Sequence, residues 1–163
     1  MSVDNLRRDH IIIKRLRDIA NICSILLNND ENIPLDDIKE LIIIIEEFID
    51  KCHHTKEECY LFPKVKDLQE EIRALTIEHE FGRRVAMMIE RYISKEDNKT
   101  IARLLNAYVT FLDTHMEREE KFFDMIGEYD MTDYEFMRLT DKMDKMKHRI
   151  DILEAKEWCK RSN

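Results

Sequence analysis

The fold is decided by one stretch of sequence, Cys52-His53-His54-Thr55-Lys56-Glu57-Glu58, in which histidines stand four residues before glutamates. The same spacing returns downstream in His115-Met116-Glu117-Arg118-Glu119-Glu120. Residues four apart lie on the same face of an α-helix, so each pair can direct an imidazole nitrogen and a carboxylate at one point. Two such pairs predict helices that bind metal.

Composition favours an all-α fold. The 163 residues suffice for one domain with a sizeable core, and they include only two glycines and two prolines. Helix-forming residues such as leucine, methionine, glutamate and lysine are plentiful. The formal net charge of -8, with 38% charged residues, argues against a nucleic acid partner, because phosphates attract basic surfaces.

The sequence also predicts a cytoplasmic protein without a membrane partner. Its apolar runs at residues 11–13 and 41–45 are far shorter than the roughly 20 residues of a membrane-spanning helix. The first ten residues are polar and do not resemble a signal peptide. The four cysteines show no C-x-x-C spacing, so we expect them to remain thiols in a reducing compartment.

Apolar periodicity and helix-breaking residues predict five helices, at about residues 3–28, 34–62, 67–93, 98–126 and 132 to the C-terminus. Asn98 can cap the fourth helix, and Thr132 to Glu135 form a capping-box pattern before the fifth. Short loops predict an up-down-up-down antiparallel four-helix bundle over residues 1–128. An additional C-terminal helix would occupy residues 129–163.

The C-terminal helix has an amphipathic pattern. Its apolar stripe consists of Phe136, Leu139, Met143, Met146, Ile150, Leu153 and Trp158. We expect this helix to pack on the bundle or to form an oligomer interface, such as that of a homodimer.

Two further histidines, His10 and His79, fall in the other two long helices, each with apolar residues at helical spacing. All four helices could therefore direct ligands to one dinuclear centre. Burying four imidazoles and two carboxylates without partners would cost several kcal/mol, and a metal would offset that cost. A ferritin-like site is disfavoured, because no histidine has a glutamate three residues before it.

Three motifs, at residues 53–63, 78–83 and 115–120, together resemble the hemerythrin-like, or HHE cation-binding, family. The resemblance covers about residues 3–126 and implies a four-helix bundle around a non-haem di-iron centre bridged by two carboxylates and an oxo or hydroxo group. Carried over position by position, it implies these metal ligands: His10, His53, Glu57, His79, His115 and Glu119. Ligation by His54 and Glu58 is the alternative register; otherwise His54 and His148 are expected at the surface. Mn or Zn could replace iron, because imidazole and carboxylate suit all three metals.

Two positions depart from the family pattern. Oxygen-carrying hemerythrins have a second histidine one turn after the ligand of the third helix, where this chain has Arg83, and their last motif ends in aspartate instead of Glu119 or Glu120. Four histidines instead of five would leave more open coordination positions, which resembles iron-sulfur cluster repair proteins and iron-sensing hemerythrin domains. We expect Arg83 to be solvated; its alternative role is as a partner of a bridging carboxylate. The neighbouring Gly82 would make room either for a small molecule or for a helix contact.

The resemblance implies a di-iron protein that binds or senses O2, NO or iron itself without enzymatic turnover. The alternative is a di-iron enzyme that acts in NO or peroxide reduction or in iron-sulfur cluster repair. Turnover with a reductant would separate the two.

Overall fold

The computed structural model describes residues 3–160, which form helices joined by short loops and include no strand. The helices are α1 (Asp4–Asn28), α2 (Leu35–Ile44), α3 (Gln69–Ser94), α4 (Asn98–Ile126), α5 (Tyr134–Glu154) and the short α6 (Glu157–Lys160). Helix α2 continues into two π-helical segments, Ile45–His54 and Lys56–Leu61, and then a 3₁₀ turn at Phe62–Lys64. The prediction of an all-α fold is confirmed. None of these helices is both long and apolar enough to cross a membrane.

The second helical segment departs from the uniform α-helix predicted over residues 34–62, because most of it beyond Ile44 is π-helical. A π-helix has i to i+5 hydrogen bonds and wider turns, so more consecutive side chains can share its buried face. Cys52, His53 and His54 are all buried, and so is Lys56. The expectation that His54 lies at the surface is therefore wrong.

Side-chain capping at two helix starts also differs from the prediction. Helix α4 has Asp97 as its N-cap instead of Asn98, since the Asp97 carboxylate accepts a hydrogen bond of 3.1 Å from the backbone N–H of Thr100. The capping box predicted before α5 is not formed. The Asp133 carboxylate accepts a hydrogen bond of 2.6 Å from Lys64 Nζ instead.

Helix α1 lies antiparallel to α4. Arg7, near the start of α1, donates a hydrogen bond of 2.7 Å to Asp124 near the end of α4. Arg17, further along α1, donates one of 2.9 Å to Asp113, earlier in α4. The paired positions therefore move in opposite directions along the two helices.

Helix α3 packs closely on α4 at Gly82. A Cβ atom at this position would lie 2.6 Å from Cε2 of the Phe111 ring, which is too close for two carbon atoms. Of the two explanations for this glycine, the structure supports the helix contact.

The apolar side of α5 faces the bundle, where its buried residues are Phe136, Met143, Met146, Ile150 and Leu153. Leu139 is partly buried against the same core. The single helix predicted to reach the C-terminus is interrupted at Ala155, and residues 161–163 lie outside the described part of the chain. In α6, the buried Trp158 donates a hydrogen bond of 2.9 Å from Nε1 to Asp37.

A polar layer divides the core into two apolar clusters. Along α1, Leu6 belongs to one cluster and Ile13 to the other, and His10 lies between them. Along α4, Met116 belongs to the same cluster as Ile13, and Phe122 belongs to the same cluster as Leu6. The stretch of α4 between Met116 and Phe122 therefore crosses the same layer. The layer is where the predicted metal ligands lie.

Candidate metal centre

The polar layer holds seven buried side chains with atoms that can bind metal. They come from α1, the π-helical segments, α3 and α4, and none is more than 3% exposed: His10, His53, His54, Glu57, His79, His115 and Glu119. The six ligands predicted from the sequence are all among them, together with one residue, His54, that was expected elsewhere.

The carboxylate of Glu119 lies at the centre of the layer. Its Oε1 is 2.9 Å from Nε2 of His10 and 3.5 Å from Nε2 of His53. Its Oε2 is 3.4 Å from Nε2 of His79 and 3.2 Å from Nε2 of His115. Each oxygen of Glu119 therefore faces a different pair of histidines.

The carboxylate of Glu57 also lies between the two sets of histidines. Its Oε1 is 3.5 Å from Nε2 of His53 and 3.3 Å from Nε2 of His79. Glu57 and Glu119 are thus placed so that each could contact two ions at once.

Two groups of potential ligand atoms occur in the layer, and within each group all the atoms lie within 4.8 Å of one another. The first group consists of His54, Glu57, His79 and His115, and the second of His10, His53, Glu57 and Glu119. Glu57 is common to both groups, so the two positions are adjacent. We call them the three-histidine position and the two-histidine position.

Each of the five imidazoles has a carboxylate on its Nδ1 atom. The pairs are His10 with Glu120 (3.0 Å), His53 with Asp9 (2.8 Å), His54 with Asp50 (3.4 Å), His79 with Glu58 (2.5 Å) and His115 with Glu78 (2.7 Å). A carboxylate that accepts the Nδ1 proton leaves Nε2 facing the layer, and this Nε2 offers a lone pair to a metal once it is deprotonated. This carboxylate–histidine arrangement is the one that proteins use to orient imidazoles toward a metal.

The outer carboxylates are in turn paired with cations, and Arg83 serves two of them. Its Nε lies 2.5 Å from Asp50, and its Nη2 lies 2.9 Å from Glu58. The side chain is 24% exposed, so the expectation of a solvated Arg83 is wrong. Arg83 does not touch Glu57 or Glu119; it supports the two carboxylates that orient His54 and His79.

Several inward-facing atoms of the layer are buried without a hydrogen-bond partner. Among residues 3–160 these atoms are Nε2 of His53, Nε2 of His115 and both carboxylate oxygens of Glu57. An unpaired buried polar atom costs about 1–3 kcal/mol. Imidazole nitrogen and carboxylate oxygen are ligands for Fe, Mn and Zn, and ions in the two positions would satisfy all four atoms. The residues of the layer therefore fit a dinuclear metal site.

Comparison with known proteins agrees with this arrangement. The family model of the hemerythrin HHE cation binding domain matches residues 1–126, more than three-quarters of the chain. The chain belongs to the hemerythrin HHE cation-binding family. Membership and the two ligand groups together indicate that this hemerythrin-family chain binds metal ions.

The chain is also similar to uncharacterized proteins of Mycobacterium bovis and of two strains of Mycobacterium tuberculosis. Each is 26% identical to it over 158 residues, which cover 90% of this chain and 61% of the relative. The chain thus spans less than two-thirds of the length of these relatives. No solved structure shows significant similarity to it.

The position of His54 changes the histidine count in the layer of this hemerythrin-family chain. The absence of a histidine at Arg83 predicted four histidines, whereas the structure brings five together. His54 stacks on His79 with ring centroids 3.8 Å apart. It therefore supplies a histidine on the side of the layer where Arg83 stands in place of the family's histidine. The two registers proposed for the second helix are both partly represented, because His53, His54 and Glu57 face the layer and Glu58 supports His79.

Sequence reasoning missed the outer carboxylates. A signal was present for Asp50, which stands four residues before His54, whereas Glu58 was considered only as a ligand in the alternative register. Asp9 and Glu120 directly adjoin predicted ligands, but adjacent residues on a helix do not face the same way, so nothing in the spacing pointed to them.

Charges within the layer shift several pKa values. Burial, and then the charge of Glu119, raise the pKa of Glu57 well above its ordinary value. Burial alone would lower the pKa of His10, but hydrogen bonds to Glu119 and Glu120 raise it to about 9. Burial and the neighbouring imidazoles lower the pKa of His54 well below its usual value. In the metal-free protein, Glu57 and His10 thus hold protons that a metal ion would displace.

Proposed function

We propose that the protein is a hemerythrin-like non-haem di-iron protein that binds or senses a small diatomic molecule, O2 or NO. The observation that carries the proposal is the set of inward-facing Nε2 and carboxylate atoms without hydrogen-bond partners, each imidazole being oriented by an outer carboxylate. The proposal includes an up-down-up-down arrangement of the four helices that supply the ligands, with α5 as an additional helix. It also includes a cytoplasmic location, which the four free cysteines support.

Under this proposal the two metal positions differ in their protein ligands. His54, His79 and His115 would bind one ion, His10 and His53 the other, and Glu57 and Glu119 would bridge them. The two-histidine position has fewer protein donors, so it would keep more room for an exogenous ligand. A cleft of about 640 Å³ between α1 and α4 includes His10 and Met116, which supports approach from that side.

Bound iron would supply open coordination positions and a change of oxidation state. The protein's own contribution is to orient the imidazoles and to surround the centre with apolar side chains. Phe123 stacks on His10 at 5.6 Å between ring centroids, and Phe111 stacks on His115 at 5.2 Å. Such packing limits the access of water to the layer.

Exposure of ferrous-loaded protein to each gas tests the proposed ligand. We expect protein loaded with ferrous iron without oxygen to change its visible absorption on addition of O2 or NO, because the two-histidine position can accept a further ligand. An iron-loaded protein whose spectrum responds to neither gas would contradict the proposal. Continuous NO or peroxide consumption with a reductant, faster than that of free iron, would favour the enzyme alternative.

The stability of the metal-free protein should depend more steeply on pH than that of the metal-loaded protein. Burial would lower the pKa of His115, but the charge of Glu119 and the hydrogen bond to Glu78 raise it to about 9, as at His10. A histidine with a raised folded-state pKa contributes stability below its unfolded value, near 6.5, and loses that contribution as pH rises through 9. The loss is on the order of 3 kcal/mol for each histidine.

We therefore expect the melting temperature of chelator-treated protein to fall between pH 6.5 and about 9. Metal ligands must be deprotonated, so the iron-loaded protein should gain stability relative to the metal-free protein over the same range. Thermal unfolding with chelator and with excess ferrous iron, both without oxygen, measures the difference. A difference in melting temperature that does not widen with pH would show that protons and metal do not compete for these groups.

A further inference from the structure

Lys56 is a fully buried lysine whose ammonium group has every donor in use. Its Nζ lies 2.7 Å from Asp9 Oδ2, 2.9 Å from Asn5 Oδ1 and 3.1 Å from Thr140 Oγ1. It also lies 5.1 Å from the centroid of the Phe136 ring. An ammonium group has three N–H donors, and here two of them bind α1 and one binds α5.

The same network reaches the metal centre. Asp9, which is paired with Lys56, also accepts the hydrogen bond of 2.8 Å from Nδ1 of His53. The opposite nitrogen of His53, Nε2, is one of the unpartnered atoms of the two-histidine position. A continuous chain of contacts therefore runs from Thr140 through Lys56 and Asp9 to an inward-facing imidazole.

Lys56 differs from the other cations around the centre in contacting α5. Arg7 on α1, Arg83 on α3 and Arg118 on α4 pair with the remaining outer carboxylates, and all three lie within residues 1–126 that match the family. Helix α5 begins at Tyr134 and lies outside that match. Among the hydrogen bonds of residues 3–160, the one between Lys56 and Thr140 directly links α5 to the outer carboxylates and the cations that pair with them.

We propose that docking of α5 is thermodynamically linked to metal occupancy of the two-histidine position, with Lys56 as the positioning residue that joins them. This inference rests on the proposed metal-binding function. Asp9 orients His53 only while Asp9 is itself held, and Lys56 holds it with an ammonium that α5 helps to fix. If α5 undocks, Lys56 loses a partner and Asp9 and His53 gain freedom, so metal affinity falls.

Linkage is reciprocal, so metal binding must stabilise the docked state of α5 by the same factor. A helix whose docking depends on metal occupancy would allow binding at a buried centre to change the surface of the protein. That is a property a sensor needs in order to signal.

Hydrogen exchange of the backbone amides of residues 134–154 tests the link, measured on the full chain in metal-free and ferrous-iron-loaded forms without oxygen. In the wild-type protein we expect iron to slow exchange of α5 by about threefold to tenfold. This factor is smaller than the roughly 10- to 100-fold loss of metal affinity caused by mutating a group that contacts a metal ligand directly, because α5 is one contact further away. Thr140→Val keeps the side-chain shape but removes the hydroxyl group. It should abolish most of this slowing and weaken iron affinity by the same factor.

Two variants control for simple destabilisation of α5. Thr140→Ser retains a hydroxyl group and should behave as the wild type. Lys142→Met removes an exposed ion pair of 3.3 Å between α5 and Glu47 without touching Lys56, so it should leave the ratio of exchange rates in the two forms unchanged.

Equal slowing in Thr140→Val and wild type would overturn the inference, and so would iron binding that leaves α5 exchange unchanged. A wild-type protein that binds no iron would overturn the proposed function as well. Elemental analysis of the exchange samples distinguishes that outcome from failure of the link alone.

Discussion

Substitution of Glu119 by glutamine should abolish tight binding of both metal ions. The two oxygens of Glu119 face different pairs of histidines, at 2.9 Å from His10 and 3.2 Å from His115, so the amide would withdraw an anionic ligand from both positions. We expect affinity for ferrous iron to fall roughly 100-fold or more. Loss of a group that only supports a ligand already lowers metal affinity by up to about 100-fold, and Glu119 would be a ligand itself. The rise in melting temperature on addition of iron should disappear with it.

Glu117→Gln is the matched control for this variant. It makes the same chemical change two residues earlier on α4, where the side chain is 70% exposed and pairs with Lys121. Calorimetric titration with ferrous iron, without oxygen, measures both proteins. Unchanged affinity in Glu119→Gln would show that the buried carboxylate is a structural partner of the histidines and not a ligand.

His54→Gln should remove one of the two metal ions. His54 belongs to the three-histidine position with His79 and His115, and it makes no contribution to the group that contains His10. We expect iron content to fall from about two ions per chain toward about one, because imidazole loss weakens one position more than the other. Elemental analysis after removal of free iron measures the change.

His148→Gln provides the comparison, since His148 is exposed on α5. Its iron content should equal that of the wild type. If His54→Gln also retains the full complement, then His54 is a buried histidine that packs beside the centre, and the family's expected ligands suffice without it.

Much of the fold was predictable because polar and helix-breaking residues mark the ends of the helices. Asn28 and Ile126 end helices where the sequence predicted, and the apolar periodicity identified the buried face of α5. The spacing of histidine and glutamate predicted that His53 and His115 face a common point. Apolar residues at helical spacing predicted that His10 and His79 face inward, and all four histidines are buried. These features depend on local sequence, and the periodicity of apolar residues predicts local structure.

The features that sequence reasoning did not predict depend on contacts across the bundle or on the hydrogen-bond register of the backbone. A period of 3.6 residues assigns His53 and His54 to different directions, whereas the π-helical segment buries both. Two partners of Arg83, Asp50 and Glu58, lie on another helical segment, so the spacing within its own helix could not identify them. A lysine such as Lys56 is almost never fully buried without a partner, and its partners on α1 and α5 could not be identified from spacing.

The most direct test of the central claim is the iron content of protein expressed with iron, by elemental analysis, together with its visible spectrum in air. The ligand arrangement predicts about two irons per chain and a visible absorption band that a chelator removes. Less than about half an iron per chain, with no band after ferrous iron is supplied without oxygen and air is then admitted, would contradict the account. In that case the buried, unpartnered nitrogens of His53 and His115 would need a different ligand.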